Sequence, residues 1–187
     1  KKEVYGKISG GIFEKMYAGI GFELIHKPYE KNFYWGVESF YVKKRDFDQL
    51  FKTLSYKTTT SHLNFNYFYE PLEINLNLSY GKYLAEDVGY TFDISRISKI
   101  GVRSGFFFTR TDVSAELFGE GSFDKGFYIQ VPLDIFYKKY TSSYTNFKLR
   151  PLTRDGGQKL NYQKSLQGLM FNSSSYELDK QWSGFLD

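Results

Sequence analysis

The stretch Leu72-Glu73-Ile74-Asn75-Leu76-Asn77-Leu78-Ser79-Tyr80 decides the fold. Successive side chains of a β-strand point to opposite sides, so Leu72, Ile74, Leu76, Leu78 and Tyr80 share one face. Glu73, Asn75, Asn77 and Ser79 share the other. Phe127, Ile129, Val131, Leu133 and Ile135 repeat the arrangement against Tyr128, Gln130, Pro132 and Asp134. Runs of roughly ten residues with one greasy and one polar face are the pattern of a transmembrane β-barrel.

The same alternation recurs along the chain. Val4, Gly6, Ile8, Gly10 and Ile12 form a Gly-rich first run. Met16, Ala18, Ile20, Phe22 and Leu24 oppose Tyr17, Gly19, Gly21 and Glu23. Phe33, Trp35, Val37 and Tyr41 oppose Tyr34, Gly36 and Glu38. Leu63, Phe65, Tyr67 and Tyr69 precede Pro71, which breaks the ladder because it has no backbone donor. Tyr90, Phe92 and Ile94 oppose Thr91, Asp93 and Ser95. Ile100, Val102, Phe106 and Phe108 oppose Gly101, Arg103 and Gly105, and Thr145, Phe147 and Leu149 oppose Asn146, Lys148 and Arg150. This predicts an all-β, antiparallel transmembrane β-barrel of the outer-membrane type, with about nine or ten strands visible, forming all or part of a barrel. Barrel strands are expected over 1–171 and a tail over 172–187. Polar loops are expected at Arg45 to Thr60 and Thr111 to Lys125, with short turns at the opposite end. The short hinge at Glu14-Lys15 does not fit that alternation of loop lengths.

Composition agrees. Of 187 residues, 19 are Phe and 17 are Tyr, and aromatics total 20%; outer-membrane barrels carry aromatic girdles at both lipid interfaces. The mean hydropathy of −0.46 is no obstacle, because only alternate residues face lipid. No run reaches the roughly 20 apolar residues of a membrane helix. The chain has no cysteine, which excludes disulfides and thiolate chemistry. The net charge of +4 favours anionic partners, such as acidic polysaccharide or lipopolysaccharide phosphate, and is also common on surfaces with no such partner. Lys1 is not an initiator methionine and no signal peptide precedes the first strand, so a mature chain or the tail of something longer is expected.

A soluble sandwich also alternates. Its inward face is a second apolar core, whereas Glu23, Glu38, Asp93 and Arg103 sit in mid-strand on the face opposite the large apolar residues. Chemistry is sparse. His26 and His62 lack metal-ligand spacing and any nucleophile partner. Glu120 and Asp124 are read as a solvated loop rather than an acid–base pair. The loop Phe118 to Gly126 lacks the Lys-Ser/Thr and following helix of a phosphate cradle. No enzymatic activity, cofactor, metal or nucleic-acid partner is expected. The polar face offers Tyr17, Glu23, Tyr34, Glu38, Arg103, Tyr128 and Arg150 as lumen residues that a glycan would touch; packing inside a small closed barrel is the alternative. Arg154 and Asp155 follow Arg150 in a tight loop with Gly156-Gly157, either shaping a polar constriction or bracing the turn.

Five strings carry a family resemblance: Met16-Tyr17-Ala18-Gly19-Ile20-Gly21, Lys44-Arg45-Asp46-Phe47-Asp48, Gly81-Lys82-Tyr83-Leu84-Ala85, the segment Gly119 to Gly126, and Arg150 to Gly157. A further echo is Gln181-Trp182-Ser183-Gly184-Phe185-Leu186-Asp187. In this order they resemble the C-terminal region of the YjbH family, outer-membrane proteins of exopolysaccharide and group 4 capsule operons. The likeness runs from about Met16 to Leu160. It implies a β-barrel lipoprotein or outer-membrane protein of the bacterial cell outer membrane acting in polysaccharide secretion, and the last part of a longer protein. Partners implied are outer-membrane lipid and lipopolysaccharide, the polysaccharide, and periplasmic and lipoprotein components of the export system. The family supplies no enzymatic residues. A non-conducting assembly barrel and a surface glycan-binding barrel stay open beside an export role.

Overall fold

The computed structural model describes residues 3–48, 50–98, 100–113, 124–136, 143–150, 156–162 and 164–172. Among these residues, nine strands form one sheet in sequence order, each antiparallel to the next. They are β1 Val4–Glu14, β2 Tyr17–His26, β3 Phe33–Arg45, β4 Thr53–Tyr69, β5 Ile74–Lys82, β6 Val88–Ile97, β7 Arg103–Thr111, β8 Asp124–Pro132 and β9 Tyr144–Leu149. The one α-helix among the described residues is α1, Leu166–Asn172. No helix among them is long and apolar enough to cross a membrane, which says nothing of crossing by strands.

The alternation read from the sequence sets the two faces. In β4, Thr58, Thr60, His62, Asn64 and Asn66 are buried, while Leu63, Phe65 and Tyr67 are exposed. The ladders carry this parity across the sheet. His62 lies opposite Glu38 and Gly81, and Asn64 opposite Gly36 and Ser79. Leu63 pairs with Val37 and Tyr80, and Leu78 with Phe92. The covered face is therefore polar and the open face apolar, the reverse of a soluble domain.

Closure is where the expectation narrows. Among the described residues β1 pairs only with β2 and β9 only with β8, so the sheet is open and does not close into a barrel. Its polar face nonetheless has the glycines that let a sheet bend. Gly81 and Gly89 stand opposite each other on β5 and β6. A Cβ at Gly81 would run into the Ser61 carbonyl, and one at Gly89 into that of Arg110. Only glycine permits so close an approach of neighbouring backbones.

Several boundaries shift. The loop expected from Arg45 to Thr60 is only 46–52, because β4 begins at Thr53. Leu72 belongs to the 3-10 turn Glu70–Leu72, which has Pro71 as its second residue and is ended by Glu73 with a φ of 55°. Ile100 precedes β7, and Leu133 and Ile135 form a second 3-10 turn after β8. The connections at what we call the upper end are 15–16, 46–52, 83–87 and 112–123; those at the lower end are 27–32, 70–73, 98–102 and 133–143. The two ends do not differ in the clear short-versus-long way the sequence suggested. The strand ends that bound the Arg45–Thr60 and Thr111–Lys125 regions, those of β3, β4, β7 and β8, fall at one end, the upper.

After β9 the chain returns across the polar face as residues 156–162 and 164–172. Leu160 joins Phe40, Val42 and Leu84 in a buried cluster, with Phe13, Tyr17 and Tyr162 against it. Leu166 joins Ile25 and Tyr34, with Met170 alongside. Burying such side chains contributes roughly 1.5–3 kcal/mol each, so these clusters hold the segment down at both of its ends.

Candidate functional site

The site is the polar face of the sheet, and its polar side chains form two groups, one tied to the returning chain and one bonded within β6–β9. Over β1–β5 the C-terminal segment is tied down by charge. Glu23 is 4% exposed. Its carboxylate accepts hydrogen bonds from Lys7 Nζ at 2.8 Å, Tyr162 OH at 2.9 Å and the backbone N–H of Leu166 at 2.7 Å. Glu38 lies 3.0 Å from Tyr162 OH, 3.2 Å from His62 Nδ1 and 3.3 Å from Lys159 Nζ. Lys159 also donates to Asn64 Oδ1 and Ser79 Oγ, at 3.1 and 3.2 Å. Two carboxylates thus meet two ammonium groups and share one phenol. A buried charge is tolerated only when paired in this way. The Tyr162 phenol titrates far above its ordinary range, first because burial disfavours the phenolate and then because Glu38 and Glu23 repel it.

At the upper end the turn 83–87 folds onto the same face. Tyr83 is fully buried, its ring centre 4.8 Å from that of His62 in an edge-to-face arrangement, and its hydroxyl is 2.6 Å from Thr91 Oγ1. Burial is the main cause that pushes its phenol up to about 12. Asp87 accepts the Gly157 N–H at 2.7 Å, so this turn and the returning chain brace each other. Arg45, read from sequence as the start of a loop, ends β3 in a buried position. Its guanidinium donates to the carbonyls of Lys15 and Leu50, each at 2.8 Å. Beside these turns, Tyr17, Lys44, Tyr56, Leu84 and Gln158 line a cavity of about 490 Å³.

The inner positions of β6–β9 form the second group. Tyr128 donates to Asp93 Oδ1 at 2.9 Å, and Arg103 Nε to Ser95 Oγ at 3.0 Å. The Arg103 guanidinium stands 5.9 Å from the Tyr128 ring centre. Arg150 grips Asp124 with two nitrogens, at 2.8 and 2.6 Å. Lys148 lies 4.6 Å from the centre of the Phe107 ring. Aromatic faces with fixed cations and carboxylates can stack on sugar rings and bond their hydroxyls.

All seven described residues named from the sequence as lumen residues fall on the polar face, yet they do different work. Tyr17 and Tyr34 pack in the two apolar clusters. Glu23 and Glu38 anchor the returning chain. Arg103, Tyr128 and Arg150 bond to Ser95, Asp93 and Asp124 within β6–β8. Arg154 and Asp155 lie outside the described residues, as does Glu120, and the described partner of Arg150 is Asp124. Of the two histidines, His62 is buried inside the polar network, and His26 ends β2 with Nε2 3.4 Å from Glu3. Sequence reasoning missed Lys159 and Tyr162. Their only signal is that two mid-strand carboxylates, Glu23 and Glu38, need countercharge that β2 and β3 do not supply.

The YjbH family model, described as exopolysaccharide biosynthesis protein YbjH, matches residues 1–170. A protein of Escherichia coli (strain K12) named uncharacterized lipoprotein YjbH is 39% identical over 162 residues, which cover 83% of this chain and 23% of that protein. The chain thus spans about a quarter of the length of the relative it matches. No solved structure matches the chain.

Proposed function

The chain belongs to the YjbH exopolysaccharide biosynthesis family, and from that premise we propose that it forms part of the wall of an outer-membrane β-barrel that serves polysaccharide export without catalysing a reaction. One observation carries the reading: the sheet exposes its apolar face and covers its polar one. Ile8 is 89% exposed and Ile20 65%, while Asn66, Asn75 and Ser79 are each 3% exposed or less. Such a face in water would be an aggregation surface, whereas hydrocarbon suits it. The relative's name, a lipoprotein, agrees with a membrane setting. The inner face of β6–β9, with Arg103, Tyr128, Asp93 and Arg150, is the surface offered to the polymer. Periplasmic and lipoprotein components of the export system, and outer-membrane lipid, are the partners this role requires.

The test is exopolysaccharide release from cells whose protein carries Tyr128→Phe with Arg103→Gln. Release falls several-fold while the amount of folded protein in outer-membrane fractions is unchanged. Normal release removes the polymer role. A second reading, a non-conducting anchor for the export machinery, is favoured by the returning chain that covers β1–β5. Planar-bilayer conductance of the full-length protein separates the two: a steady ionic current supports the path, and silence supports the anchor.

A further inference from the structure

The charges on the apolar face are all of one sign. Among the described residues of the nine strands, every acidic side chain (Glu14, Glu23, Glu38, Asp93 and Asp124) takes a polar-face position in the ladders. The apolar face carries Lys43, Lys57, Lys82, Arg96, Arg110 and Lys125 and no carboxylate. Five of these six lie within four residues of the upper ends of β3, β4, β5, β7 and β8; only Arg96 lies at the lower end. Lys43 and Lys57 are directly opposite each other.

Four of these cations are followed on the same face by an aromatic residue. Two residues further into the sheet, on the same face, come Tyr41 below Lys43, Tyr80 below Lys82, Phe108 below Arg110 and Phe127 below Lys125. Their exposures are 40%, 57%, 37% and 38%. A neighbouring pair of cations has no structural reason to face its like, since opposed like charges destabilise a ladder. Lys82 lies 3.6 Å from Glu86 of the adjoining turn. An apolar band, then aromatic rings, then cations is the order of chemistry met on leaving hydrocarbon for anionic headgroups.

We propose that this row binds the phosphate groups of glycolipid headgroups in the outer leaflet, and so sets the upper turns outside the cell. The inference rests on the membrane reading above and adds to it a ligand and a direction. A soluble polymer is the weaker occupant, because the row borders exposed apolar surface rather than the polar face.

The test uses full-length protein and two vesicle types, phosphatidylcholine alone and phosphatidylcholine with bis-phosphorylated lipid A. The protein partitions preferentially into the second, and the preference fades as salt screens it. The variant Lys43→Gln/Lys57→Gln/Arg110→Gln loses roughly 10- to 100-fold of that preference, whereas Arg96→Gln keeps it. Equal partitioning of the unaltered protein between the two vesicles overturns the proposal and leaves the membrane reading standing. Failure to enter either vesicle overturns both. Binding of a soluble polyuronate that the triple variant loses, with lipid preference intact, overturns it in favour of a polymer-binding face.

Discussion

Glu23 of β2 and Glu38 of β3 stand directly across the ladder from each other, and the Tyr162 hydroxyl reaches both, at 2.9 and 3.0 Å. Two facing carboxylates on a covered surface would drive the strands apart. Lys7, Lys159 and the Tyr162 hydroxyl turn that repulsion into a tether for a segment well over a hundred residues further along the chain.

Removing one carboxylate should therefore release the tether more than the sheet. Glu23→Ala costs roughly 3 kcal/mol, since it strips charged hydrogen bonds from Lys7, Tyr162 and the Leu166 amide. The strands stay paired. Limited trypsin digestion reads the difference: cleavage at Lys159 and Lys164 speeds up in the variant, while sites within β2 and β3 remain protected.

The raised phenols of Tyr162 and Tyr83 give a pH dependence. A group whose folded pKa exceeds its unfolded value of about 10 lends stability that is complete below that pH. The contribution drains away as pH rises above it, when the unfolded chain ionises and the folded one resists. Stability followed by urea unfolding should decline through the alkaline range. Tyr162→Phe should flatten that decline, and an unchanged slope would show that Tyr162 does not titrate late.

Arg45 is expected to be the main brace of the upper end. Arg45→Ala leaves the Lys15 and Leu50 carbonyls without their donor and costs roughly 2 kcal/mol. Hydrogen exchange should accelerate in 15–16 and 46–52 and stay slow in the lower turn 27–32.

The two faces should answer differently to charge. Leu78→Arg, on the apolar face of β5, costs roughly 2–4 kcal/mol in a bilayer if it lies near the midplane. Gln130→Arg, on the polar face of β8, costs much less. Unfolding of the reconstituted full-length protein measures both; equal losses would argue for apolar surroundings on both sides.

The strands were legible because hydrophobic residues alternate in almost all of them, and the parity of Leu76, Val131 and Tyr34 is as the sequence implied. Where alternation was silent the reading failed. The stretch Lys57-Thr58-Thr59-Thr60-Ser61 is polar on both faces, so the first part of β4 looked like loop. Leu72, Leu133 and Ile135 extend the apolar pattern into turns whose backbone has already left the ladder. Glu23 and Glu38 stood out as charges in mid-strand. Their partners did not, because Lys159 and Tyr162 lie in a segment with no period and are brought there by tertiary packing alone.

The strand order has one more consequence. Nine strands in a simple up-and-down succession leave the first and last running the same way. An antiparallel ladder cannot join β1 to β9. Any closed, wholly antiparallel cylinder that contains this sheet must insert an odd number of further strands between those two edges, so the circumference and bore of such a cylinder are set by chain beyond the nine strands rather than by the strands themselves.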